Sequence, residues 1–102
     1  MELKIEMDGN IVNARLSGRL DSLNGPKIQE EMVGIGEAKD IKTIILDCSG
    51  LEYIASNGLR LFFTVVKDAR MREANVIIKG AQPFLLTVLD ATGLSKMFDF
   101  EP

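Results

Sequence analysis

Apolar and polar side chains alternate at the start of the chain, with Leu3, Ile5 and Met7 before Asp8-Gly9 and Ile11, Val12, Ala14 and Leu16 after it. A period of two on both sides of a pair that tolerates positive φ predicts an antiparallel β-hairpin. After Gly18-Arg19-Leu20 the period changes. Asp21 or Ser22 can cap a helix that carries Pro26 in its opening turn and Ile28, Met32 and Ile35 on one face, weakening at Gly34 and ending near Gly36. Ile41 to Leu46 is short, β-branched and apolar at its end, as expected of a strand covered by helices in the middle of a sheet. From Asn57 to Arg72, Leu59, Phe62, Phe63, Val66 and Ala69 recur at three and four residues while Lys67, Asp68, Arg70 and Arg72 face outward, which predicts the longest helix. Asp68 and Arg72 can pair one turn apart.

Asn75 to Gly80 reads as a further buried strand. Gln82-Pro83 starts a helix with Phe84, Leu85, Val88 and Leu89 inward, which Gly93 ends, and Leu94 with Met97-Phe98-Asp99-Phe100 closes the sheet. Hairpin, helix, strand, helix, strand, helix, strand predicts an α/β fold. Its mixed β-sheet opens with an antiparallel hairpin, and right-handed crossovers place the helices mainly on one face.

Composition narrows what such a fold can do. With 102 residues, 46% of them hydrophobic, the chain suits one domain over residues 1–102 with a single core. A formal charge of −3 argues against a nucleic-acid surface, where a basic excess is the rule. One cysteine and no histidine leave no internal disulfide, no histidine-based triad and no ordinary zinc site. Nowhere does an apolar run approach the roughly 18 residues that a spanning helix needs, and Met1 to Glu6 alternates charged with apolar residues, so no membrane insertion and a cytoplasmic location are expected. Cys48 follows a buried strand without a cationic neighbour and is expected to be a small packed side chain. Asp47 is expected to orient the loop that follows by accepting backbone N–H bonds. A lone carboxylate without a partner acid or base makes poor acid–base machinery, so no catalytic residue is assigned.

The chemistry concentrates in Ala55-Ser56-Asn57-Gly58, between the Asp47 strand and the longest helix. A hydroxyl at a helix N-terminus faces unpaired N–H groups and the positive end of the dipole, so a phosphate on Ser56 is tolerated by its own helix. Serine is also a commonplace N-cap, and Asn57 can cap in its own right; the residue types alone leave these roles open.

Four segments in order, Gly18-Arg19-Leu20-Asp21, Leu46-Asp47-Cys48-Ser49-Gly50-Leu51, Tyr53-Ile54-Ala55-Ser56-Asn57-Gly58-Leu59-Arg60 and Ala91-Thr92-Gly93-Leu94, resemble the STAS domain family, and within it the bacterial anti-sigma factor antagonists of the SpoIIAA type. The resemblance implies partner switching without catalysis or cofactor. The partner would be an anti-sigma factor that is also a serine kinase with a histidine-kinase-like ATPase fold. It would phosphorylate Ser56 and dissociate, and a PP2C-type phosphatase would remove the mark. Asp21, Ser22 and Asn24, with Ala55, Ser56, Asn57, Gly58 and Arg60, would form the contact surface. Two departures stand out. Ala55 replaces the acidic or hydroxyl neighbour that many members carry, and many members continue past the last strand into a helix whose contacts residues 1–102 would lack. The alternatives are a constitutive, unphosphorylated STAS scaffold or transport-complex subunit, and a small-ligand or nucleotide binder, against which the absence of a glycine-rich phosphate loop weighs.

Overall fold

The computed structural model describes residues 2–36, 40–55 and 58–102. Strands β1 (Glu2–Asp8) and β2 (Ile11–Leu20) form the expected hairpin, followed by α1 (Gly25–Gly36), β3 (Thr43–Ile54), α2 (Leu59–Met71), β4 (Asn75–Lys79), α3 (Pro83–Ala91) and β5 (Asp99–Glu101). The sheet order is β1-β2-β3-β4-β5. Only the β1–β2 pair is antiparallel; each later neighbour is parallel, as helical crossovers require. The hairpin loop is Gly9-Asn10, closed by the pair Asp8↔Ile11, one residue later than the Asp8-Gly9 reading. Gly9 carries the positive φ, 61°.

One hydrophobic core lies between the sheet and the helices. Val12, Ala14, Leu16 and Leu20 of β2 and Ile44, Leu46, Cys48 and Leu51 of β3 meet Ile28 and Met32 of α1, Leu61, Phe62, Val65, Val66 and Ala69 of α2, and Leu85 and Leu89 of α3. The side chain of Ile35, expected beside Ile28 and Met32, lies outside the described residues. Asp68 and Arg72 pair at 3.1 Å on the outer side of α2.

The expected α2 stripe is corrected at three positions. Phe63 is 46% exposed, and Leu61 and Val65 are buried in its place. A period of 3.6 admits either stripe, and docking onto the sheet selects the one centred on Phe62. The last segment also differs: Leu94–Met97 is a 3-10 turn, and only Asp99–Glu101 joins the sheet as an edge strand.

The larger difference is β3, which runs on to Ile54 instead of stopping at Leu46. Between the pairs Arg15↔Asp47 and Arg19↔Tyr53, β3 carries two more residues than β2, one at each register shift. Each extra residue flips the inward parity, so Leu46 and Cys48 point into the core and then Leu51 does, and alternation is lost from the sequence. Beyond Asp47, β4 no longer pairs with β3. There the Gln82 amide donates to the Ser49 and Leu51 carbonyls, at 3.3 and 2.6 Å, and secures the unpaired edge.

Gly80 packs against this same stretch. It has φ +67°, and a Cβ would lie 2.9 Å from the Ser49 Cβ and 3.3 Å from its backbone N and Cα. Gly80→Ala is therefore expected to cost about 2–3 kcal/mol in urea denaturation, combining the left-handed backbone penalty with overpacking against a strand that cannot yield. A loss below about 0.5 kcal/mol would show that the β3 bulge is soft.

Candidate functional site

The last two carbonyls of β2 organise two loops. The Leu20 carbonyl accepts the Ala55 N–H at 2.9 Å, and the Ala55 carbonyl accepts the Gly58 N–H at 2.8 Å, so one described flank of the β3–α2 junction is tied to the end of β2 and the other to that flank. Gly58 is the N-cap of α2, which starts at Leu59, two residues later than the sequence suggested. A Cβ at Gly58 would meet the Leu20 carbonyl at 3.1 Å, the Leu20 Cγ at 3.2 Å and the Ile54 Cγ1 at 3.1 Å. A side chain at this position would need the Leu20 and Ile54 groups to give by a few tenths of an ångström, so glycine suits a helix that begins this close to β2. Ser56 and Asn57, the expected phosphoacceptor and its neighbour, lie outside the described residues, between these pinned flanks.

The Arg19 carbonyl serves the second loop by accepting the Asn24 Nδ2–H at 2.8 Å. Asp21 Oδ1 accepts the N–H groups of Leu23 and Asn24 at 3.0 and 3.1 Å, and Asn24 Oδ1 accepts the Asp21 N–H at 3.1 Å. This reciprocal arrangement is a capping box that leads into α1, so the cap expected of Asp21 or Ser22 belongs to Asp21.

The two loops face each other across a cleft of about 470 Å³. Of the residues expected at a contact surface, Asp21, Ser22, Gly58 and Arg60 line it. Asn24 does not line it, its amide being engaged within the capping turn, and Ala55 is half-buried beneath the junction. Pro26, Gln29 and Glu30 of α1 complete the wall and were not anticipated. Their spacing shows that they share a helix face, but which polar face of α1 turns toward α2 depends on how the helices cross. The cleft lining thus includes two acidic residues, Asp21 and Glu30, and one basic residue, Arg60. Arg60 also borders an open apolar groove with Leu59, Phe63 and Met97.

Asp47 is elsewhere. It sits seven residues before the end of β3 beside Arg15 and Lys79, where its Oδ1 accepts both the Ser49 N–H at 3.0 Å and the Ser49 hydroxyl at 2.6 Å. The expectation that it orients the Ser56 loop is corrected: its bonds serve the β3 bulge, which the sequence reading did not foresee. Partial burial pushes its carboxyl up, but the two Ser49 bonds and the nearby Arg15 and Lys79 outweigh this and leave its pKa below the usual carboxylate value. Cys48 is fully buried, and burial, then the Asp47 charge, pushes its thiol up to about 12, so it is a packed, unreactive side chain as expected. Among the described residues no cluster of His, Cys, Asp and Glu could hold a metal ion, and no helix is long and apolar enough to cross a membrane.

An antiparallel hairpin opening a mixed sheet, helices against one face and a β3–α2 junction secured to the end of β2 define a STAS domain. The chain belongs to the STAS domain family, whose sequence profile matches residues 2–102. The anti-sigma-B factor antagonist of Listeria monocytogenes is 25% identical over 101 residues, covering 99% of this chain and 87% of that protein. The fold is shared with the anti-sigma factor antagonist SpoIIAA in its unphosphorylated form, at a TM-score of 0.79 and 19% identity over 99% of this chain and 87% of that one. It is shared equally with the Bacillus cell fate determinant SpoIIAA in its phosphorylated form, at a TM-score of 0.79 and 21% identity over 97% of this chain and 90% of that one.

Proposed function

We propose that this protein is an anti-sigma factor antagonist acting by partner switching in the cytoplasm. With Ser56 unmodified it binds an anti-sigma factor that is also a serine kinase of the histidine-kinase-like ATPase fold; phosphorylation of Ser56 releases the partner, and a PP2C-type phosphatase restores binding. The chain itself acts by binding, with no catalysis and no cofactor.

One observation carries this reading. The junction that bears Ser56 is tied through Ala55, to which Gly58 is bonded in turn, to the same strand end that leads into Asp21, and Gly58 and Asp21 line one cleft. A phosphoryl group brings about 1.5 to 2 negative charges. Gly58, two residues from Ser56, lines a cleft whose lining includes Asp21 and Glu30, so the added charge adds desolvation cost and repels acidic groups of a partner docked for a neutral hydroxyl. Names of relatives support the role: the Listeria protein is an anti-sigma-B factor antagonist, and SpoIIAA exists in unphosphorylated and phosphorylated forms.

The test is phosphosite mapping by mass spectrometry on wild type and Ser56→Ala after incubation with ATP and extract from the native host. Phosphate on Ser56, absent from the variant, is the expected result. A negative outcome, with a control antagonist phosphorylated in the same extract, would shift the reading to a constitutive STAS scaffold or transport-complex subunit, the alternative that Ala55 favours.

A further inference from the structure

We infer that Asn24 is a positioning residue for partner docking, whose amide holds the Asp21–Asn24 turn in the shape that faces the cleft without itself touching the partner. The inference rests on the reading proposed above and adds to it a division of labour within the site.

The chemistry of the two groups that Asn24 joins is complementary. The Asp21 N–H can only donate and the Arg19 carbonyl can only accept, and the two ends of one carboxamide satisfy both, at 3.1 and 2.8 Å. An aspartate there, which only accepts, would satisfy the Asp21 N–H and leave the Arg19 carbonyl without its donor. The anchor is itself fixed, because the Arg19 guanidinium lies 4.2 Å from the centroid of the Tyr53 ring on the adjacent strand. Consecutive carbonyls at the end of β2 therefore hold the two walls of the site, Leu20 through the Ala55 N–H and Arg19 through the Asn24 amide. Asp21 and Ser22 line the cleft, whereas Asn24, its amide engaged by Asp21 and Arg19, does not.

A residue of this kind leaves a kinetic signature. Without its amide the turn samples open shapes, only a fraction of molecules is competent to bind, and affinity falls by that fraction through slower association. Loss of a direct contact acts mainly on dissociation. The experiment compares wild type, Asn24→Ala and Asn24→Asp, which keeps only the acceptor. Association and dissociation rates are measured with the kinase that phosphorylates Ser56, purified from the host extract by following that activity, and amide hydrogen exchange is followed by NMR on the free proteins.

Association of Asn24→Ala is expected to slow about three- to tenfold, the range set by losing one cap, with dissociation within about twofold of wild type. The Asp21, Leu23 and Gly25 amides should exchange faster, and Asn24→Asp should also associate slowly, having lost the Arg19 tie. Loss confined to dissociation would make Asn24 a contact residue and overturn the inference. So would a lowered melting temperature with both rate constants unchanged, or unchanged exchange at the three amides. If wild type itself fails to bind, the functional reading falls together with this inference, whereas each of the other outcomes sinks the inference alone.

Discussion

Under the proposed function, Ser56→Asp is expected to weaken partner binding by about a hundredfold or more while moving the thermal unfolding midpoint by no more than about 5 °C. A hundredfold corresponds to about 2.7 kcal/mol, within what an unmatched charge costs at an interface when no opposite charge receives it. This chain's own side of the cleft offers little to receive the charge, because the lining includes Asp21 and Glu30, with Arg60 as the one cation among the described residues. The fold should be indifferent for a separate reason. Ser56 precedes α2, whose first residue is Leu59, and negative charge at a helix N-terminus is neutral to mildly favourable, by about 0.3–1 kcal/mol. Calorimetric titration of both forms, with a scanning run on each alone, checks the two halves together. Equal affinity for wild type and variant would remove partner switching from consideration.

Phe62→Ala is expected to lose about 3–5 kcal/mol of folding stability, whereas Phe63→Ala, one residue on, should lose less than about 1 kcal/mol. Phe62 is fully buried at the centre of the core and meets Phe98 edge to face, with centroids 6.2 Å apart and an interplanar angle of 84°. Truncation removes the transfer energy of the ring, leaves a cavity between α2 and the sheet, and loses the aromatic pair. Phe63 is 46% exposed at the rim of the Arg60 groove. Urea unfolding of the two variants under one set of conditions decides the matter; comparable losses would mean that α2 packs with the rotation the bare periodicity suggested.

Cleft residues show how far local pattern reaches. Asp21 was legible as a cap because its side chain acts on N–H groups two and three residues away, a range that sequence spacing encodes. Gly58 and Arg60 were legible through the family motif that contains them. Pro26, Gln29 and Glu30 were not, because polar residues on a helix look alike until a neighbouring element covers one side. The bond of the Asn24 amide was not legible either, because it depends on the Arg19 carbonyl, which is brought within reach only when the turn folds back on β2.

Element type, order and the hairpin were determined by the sequence itself, since periods of two and 3.6 and the punctuating Gly, Pro and Asp residues act over a few bonds. The family followed from the spacing of short motifs, and the candidate acceptor Ser56 from its place ahead of an amphipathic helix. Tertiary structure alone decided the rotation of α2, where several apolar stripes satisfy the same period and only one fits the sheet. It decided the length of β3, whose two extra residues erase alternation while pairing with β2 and the Gln82 amide keeps the strand intact. It also decided the role of Asp47 and the composition of the cleft, because both depend on groups far apart in sequence that meet only when parallel strands and crossing helices are assembled around one core.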